Sequence, residues 1–168
     1  MAHVTVLPMS KDVRAIQELF ETTSLGAPEK AVGFVLWRVV HRYTREVDRA
    51  LATLDLTHLQ FTTLAMAAWL GRTGEAVTQV ALAQSADIQP MQVSHMLKML
   101  ESKRLVTRVR SVADTRAKHL QVTASGLKAL RRALPVVIDV QRWLFGEEGR
   151  PDGRLLAILA RLDGGRSD

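Results

Sequence analysis

Apolar residues recur at three- and four-residue spacing through most of this chain, and the recurrence breaks at a few positions rich in Gly, Pro and Thr. Val13, Ile16, Leu19 and Phe20 share one face of a helix predicted over 11–22, capped by Ser10 and broken by the stretch SLGAP at 24–28. Leu36, Val40, Tyr43, Val47, Leu51 and Leu54 line one face of a long helix over about 29–54. Thr57 and Gln60 stand at the two positions of a capping box, which opens a further helix that ends near Gly71–Gly74. Thr78 caps a short helix over 79–85, and a turn over 86–89 follows. Pro90 suits the first turn of a helix over 90–103, where its missing N–H would have been unpaired anyway. Thr123 caps a long helix over 124–145 that Pro135 is expected to kink. After a break at 146–153, residues 154–162 form a last short amphipathic helix.

Between 105 and 123 the period changes from helical to two, on both sides of a polar tip. This predicts a hairpin in which Leu105, Val106, Leu120 and Val122 face the core while the basic side chains point away. The chain is thus mainly α with one small β-hairpin. A short helix, a turn, a longer helix and a basic hairpin make the pattern of a winged helix-turn-helix, with the hairpin as the wing.

The helix over 90–103 is the expected reading helix. Val93, Met96, Leu97 and Leu100 fall at i, i+3, i+4 and i+7 and form its inner stripe. The opposite side offers Gln89, Met91, Gln92, Ser94, His95 and Lys98. Gln matches the two hydrogen-bonding atoms of adenine, Lys suits guanine, and Met91 can touch a thymine methyl.

Charge placement sharpens this picture. The chain carries a net charge of +6, and 98–119 holds seven basic residues against two acidic ones, so one short segment supplies five of the six. That is the footprint of a polyanionic partner. Arg108, Arg110, Arg116 and Lys118 lie on the hairpin, with Arg116 near the tip, where a planar guanidinium can enter a narrow minor groove. Arg108 and Arg110 serve either as phosphate contacts or as solubilising charge on an exposed edge strand. Asp114 repels phosphate and is expected to hold one of the arginines across the turn.

At these residues the chain resembles a known family. Leu105–Val106–x–Arg108, Asp114–x–Arg116 and Val122–Thr123–x–x–Gly126 are similar to the wing signature of the MarR (multiple antibiotic resistance regulator) family. Leu56–Thr57–x–x–Gln60–Phe61 resembles that family's second helix, and Leu100–Glu101 the end of its reading helix. The likeness covers about 31–162. One departure is Arg104, where the family commonly has a Gly able to form a left-handed cap. The resemblance implies a homodimeric repressor of nearby genes, released from double-stranded DNA by a small, often aromatic ligand.

The division expected from sequence is an extension over 1–30, a helical dimerisation region over 31–56 and 123–168, and a DNA-binding domain over 57–122. The two helical segments at the ends carry more apolar surface than a small winged domain can cover, which supports a homodimer and a pseudo-palindromic DNA site. Trp37, His41, His58, Phe61, Met66 and Trp69 are candidates for an effector pocket, the alternative being ordinary core or interface positions.

Other chemistry is thinly represented. There is no Cys, so disulfides and thiolate metal sites are excluded. His41 and His58 lack a third ligand at metal-like spacing, and no cofactor motif is present. Ser94 and His95 point about 100° apart on one helix and form no dyad, so an enzyme is not expected. No apolar run reaches the ~18 residues of a membrane span, and the chain reads as soluble and cytoplasmic. The second functional reading is a winged-helix protein-interaction module, which would have no reason to keep five net positive charges on the reading helix and wing.

Overall fold

Leu51, Leu64, Leu82, Leu97 and Leu100 are fully buried and mark the place where four helices meet. The computed structural model describes residues 11–23, 27–110 and 118–164, and the chain divides into two units, residues 1–42 and 43–168.

In the first unit, α1 (Lys11–Thr23) leaves Val13, Ile16, Leu19 and Phe20 exposed. The helix predicted over 29–54 is shorter than expected. Pro28–Lys30 form a separate 3-10 turn, Ala31 is extended, and α2 runs over Val32–Leu51. At its far end Ala52–Leu54 tighten into another 3-10 turn, which Asp55 stops by adopting a left-handed conformation (φ 54°).

The second unit follows the predicted order closely. Next come α3 (His58–Leu70), α4 (Gln79–Ser85) and α5 (Pro90–Ser102). The Thr57–Gln60 capping box forms as predicted, with both reciprocal bonds present. Thr78 accepts from the N–H of Ala81 at 3.1 Å to start α4. Strands β1 (Val106–Arg110) and β2 (Lys118–Val122) pair antiparallel, Val106 opposite Val122 and Arg110 opposite Lys118. A feature the sequence did not announce ties this hairpin down: the N–H of Leu120 donates to the carbonyl of Val77 at 2.8 Å, a single antiparallel bridge from the approach to α4. α6 (Ala124–Phe145) remains helical through Pro135, and α7 (Arg154–Asp163) closes the described chain. The core gathers Val47 and Leu51 from α2, Phe61 and Leu64 from α3, Leu82 from α4, Val93, Leu97 and Leu100 from α5, Val106 and Leu120 from the strands, and Leu130 and Val137 from α6. Among the described residues, no helix is long and apolar enough to cross a membrane.

Candidate nucleic-acid interface

The predicted inner stripe of α5 is the buried one: Val93, Met96, Leu97 and Leu100 all lie in the interior. Each such side chain contributes about 1.5–3 kcal/mol by leaving water, which fixes the roll of the helix about its axis. That roll leaves Gln89, Met91, Gln92, His95 and Lys98 exposed, with Met91 at 86% the most open large apolar side chain among the described residues of the unit. Ser94 is half-buried at the edge of this face.

The turn before α5 is built by backbone bonds. Asp87 takes a left-handed conformation (φ 47°), and the N–H of Ile88 donates to the carbonyl of Ala83 at 3.0 Å. The amide of Gln79 then donates to the carbonyl of Pro90 at 3.4 Å, linking the starts of α4 and α5.

The end of α5 is held more firmly. The Lys103 ammonium donates to the Asp55 carbonyl, lies 3.1 Å from the Asp55 carboxylate, and donates to Gln60 Oε1 at 3.2 Å. Gln60 is 2% exposed, and both ends of its amide are engaged: Oε1 also accepts from the N–H of Thr57 at 3.3 Å, and Nε2 donates to Met99 Sδ at 3.6 Å. Gln60 therefore serves the start of α3 and the end of α5 at once. Nearby, the N–H of His58 donates to the Asp48 carboxylate at 2.6 Å. Burial pushes the His58 imidazole below its ordinary pKa, with Asp48 pulling the other way.

Arg104 occupies the position expected to need glycine, and its φ is 57°. The N–H of Leu105 donates to the carbonyl of Leu100 at 2.9 Å, the bond that closes a left-handed helix cap. A non-glycine residue in this conformation costs roughly 1–2 kcal/mol. Its side chain is exposed on the side of the hairpin base. Arg104→Gly is expected to raise unfolding stability by about 0.5–1 kcal/mol, after allowing for glycine's looser unfolded state. The same variant should bind DNA more weakly and with a shallower dependence on salt. Urea unfolding and salt titration read the two effects separately, and a variant less stable than the parent would contradict the strain.

The wing yields one correction. Its basic residues do not all point away from the core. Arg108 sits opposite the buried Leu120 in the strand register, on the same side as Val106. Its Nε lies 3.4 Å from the Glu101 carboxylate, and its side chain is only 24% exposed. The period-two rule already contained this result, because residues two apart on a strand share a face. Leu105, Val106, Leu120 and Val122 do turn inward as predicted. Arg110 and Lys118 pair across the strand ends, while Asp114 and Arg116 lie outside the described residues.

Of the candidate effector residues, Trp37 and His41 lie in the first unit, where their rings sit 4.2 Å apart and Phe34 stacks on Trp37 at 6.1 Å. The other four lie on α3. Phe61 is core, His58 meets the edge of Tyr43 at 5.4 Å, Met66 is half-buried, and Trp69 is exposed beneath the Arg72 guanidinium at 3.6 Å. None of the six lines the cavity of about 680 Å³ between α6 and α7, which Ile138, Phe145, Leu155 and Leu159 wall. Among the described residues, no group of three His, Cys, Asp or Glu side chains could hold a metal ion.

Comparison with known proteins rests on this geometry. No family model matches the chain. The uncharacterised HTH-type transcriptional regulator YdcH of Bacillus subtilis is 33% identical over 140 residues, which cover 83% of this chain and 95% of that one. Among solved structures, CouR of Rhodococcus jostii bound to p-coumaroyl-CoA is 25% identical, covering 83% of this chain and 91% of its own, with a TM-score of 0.67. The Mycobacterium tuberculosis regulator MosR in complex with DNA is also 25% identical, covering 80% and 95%, with a TM-score of 0.65. The chain belongs to the MarR family of HTH-type transcriptional regulators. As a MarR-family regulator it has a winged helix-turn-helix fold and acts in DNA-binding transcription regulation. At its last segment, Val122–Thr123–x–x–Gly126, the family signature has physical content. Thr123 Oγ1 donates to the carbonyl of Arg104 at 2.7 Å and accepts from the N–H of Gly126 at 3.0 Å, and its own N–H donates to the carbonyl of Leu105 at 3.0 Å. One threonine thereby joins the wing base to the start of α6.

Proposed function

We propose that the protein is a homodimeric repressor that binds a pseudo-palindromic double-stranded DNA site and leaves it when a small aromatic ligand binds. The observation that carries the DNA reading is the fixed roll of α5, which turns Gln89, Met91, Gln92, Ser94, His95 and Lys98 outward beside an anchored basic hairpin. Gln92 and His95 read base edges, while Lys98, Arg104, Arg110, Arg116 and Lys118 serve the backbone and the minor groove. That MosR, a chain of the same fold, has been solved in complex with DNA supports the DNA-binding reading.

The dimer is supported by apolar surface left open. On α6, Leu127, Leu134, Ile138 and Trp143 are 41–62% exposed, and on α7 Leu156, Ile158, Leu159 and Leu162 are 38–64% exposed. A second copy laid along α6 and α7, over the cavity between them, covers this surface. Two reading helices then meet half-sites about one helical turn apart. The effector reading is supported by CouR, whose structure contains p-coumaroyl-CoA, and by the exposed rings of Trp37 and Trp69 in this chain.

Selection of bound fragments from random duplex DNA tests the whole proposal. The expected product is an inverted repeat, bound by a species of twice the 18.6 kDa chain mass in light scattering. Selected fragments without symmetry, or a monomer at the binding concentration, would overturn it. Retention on DNA in the presence of aromatic acids and their thioesters tests release.

A further inference from the structure

We propose that Arg108 is a positioning residue, locked to Glu101 so that the wing holds a set angle to the reading helix, and that it makes no phosphate contact. The inference rests on the DNA-binding reading above and assigns one of its basic residues a different task.

Three observations converge. Arg108 comes from the inner side of β1, opposite Leu120, and not from the outer edge of the hairpin. Its Nε faces the carboxylate of Glu101, in the last turn of α5, at 3.4 Å, with the two side chains 24% and 30% exposed. Its Nη2 is sealed from solvent and has no hydrogen-bond partner among the described residues. A phosphate oxygen cannot reach this buried nitrogen unless the strand first moves, so Nη2 is not presented to the backbone of a duplex, while Nε faces Glu101. Leaving a guanidinium nitrogen buried without a partner is costly, which argues that the placement is held by the surrounding fold. Glu101 sits on the helix that reads bases, and Arg108 sits on the strand that leads to the tip. The pair is thus a strut between the two DNA-contacting elements, set where the separation of their far ends follows small changes at the joint.

The pair also changes the electrostatic account. A carboxylate at the end of a reading helix would by itself repel a phosphate backbone, and removing it should tighten binding. If Glu101 serves to place the wing, removing it must loosen binding. The sign of the effect separates the two roles.

The test uses the full chain with a DNA fragment recovered by selection, and compares the parent with Glu101→Gln, Arg108→Ala and the double variant. Active fractions are fixed by stoichiometric titration, and affinities are measured across a salt series, so that a partly unfolded sample is not counted as weak binding. Glu101→Gln, which keeps shape and hydrogen-bonding capacity, should weaken binding by roughly tenfold, within the range for members of one ion-pair network. Arg108→Ala should do the same with its salt slope parallel to the parent's, and the double variant should be no weaker than the worse single variant. Arg104→Ala is the control for a direct contact, expected to lower the slope by about 0.9 per phosphate released. Glu101→Gln binding as tightly as the parent, or tighter, overturns the strut, as does a shallower slope for Arg108→Ala. If the parent binds no duplex at low salt, the DNA-binding reading itself is overturned, a result distinct from either of these.

Discussion

The affinity of this protein for its DNA site should fall by about three to five orders of magnitude between ~50 and ~200 mM salt, the range for six to ten phosphate contacts. The slope carries more information than the fall. Seven cations lie between 98 and 119, and two copies using all of them would give a slope of about −13 on logarithmic axes. Lys103 is bound to Asp55 and Gln60, and Arg108 faces Glu101, so with the strut proposed above two per copy are withdrawn. The steepest slope expected is therefore about −9. Fluorescence anisotropy over a salt series measures it. A fall of less than about tenfold over that range would remove the phosphate contacts from the account.

Gly126→Ala should destabilise the chain by about 3 kcal/mol or more, among the larger effects of a single methyl group. Helix propensity alone predicts the opposite, since alanine is favoured over glycine in a helix by about 1 kcal/mol. The added Cβ would stand 2.1 Å from the Leu105 carbonyl oxygen and 2.9 Å from Val122 Cγ1. The nearer obstacle is backbone, so no side-chain rotation relieves it. Either α6 moves off the wing base or the bond from Thr123 to Leu105 breaks. Urea unfolding reads the loss. A variant within about 0.5 kcal/mol of the parent, the usual spread for a neutral surface change, would show that α6 does not approach the hairpin as closely as described. A second consequence is expected at the DNA: with its root displaced, the wing should contribute less to binding even where the variant remains folded.

The two predictions draw on different amounts of sequence information. The bounds of α4 and α6, the Thr57 capping box and the buried stripe of α5 were all readable in advance. Each depends on contacts within a few residues, and side-chain periodicity reports them directly. The strain at Arg104 was half readable. The sequence shows a non-glycine residue where a left-handed cap is wanted, but only the backbone, with φ at 57°, shows that the cap forms regardless. The inward direction of Arg108 was legible in the alternation of the strand, but charge alone points it outward. The expected long helix over 29–54 failed at both ends because local turns at Pro28 and Asp55 captured residues whose apolar spacing continues the helical pattern.

The candidate site divides in the same way. The outward face of α5 followed from the inward one, because the roll of a helix is set by the side chains it buries. The effector residues had no such constraint. Trp37 and Trp69 are alike as aromatic residues in the sequence, yet one stacks on Phe34 in the first unit and the other lies under Arg72 in the second.

By itself the amino-acid sequence determined which segments coil, where α4 and α6 start and stop, which side of the reading helix is dry, and that positive charge is concentrated on one short stretch. Those properties are set by neighbours along the chain. Only the tertiary structure decided that Lys103 and Arg108 lie against carboxylates, that Val77 anchors the hairpin, that Gln60 joins two helix ends, and that Gly126 has no room for a methyl group. These depend on atoms brought together from distant positions, and neither spacing nor composition encodes the distance between them.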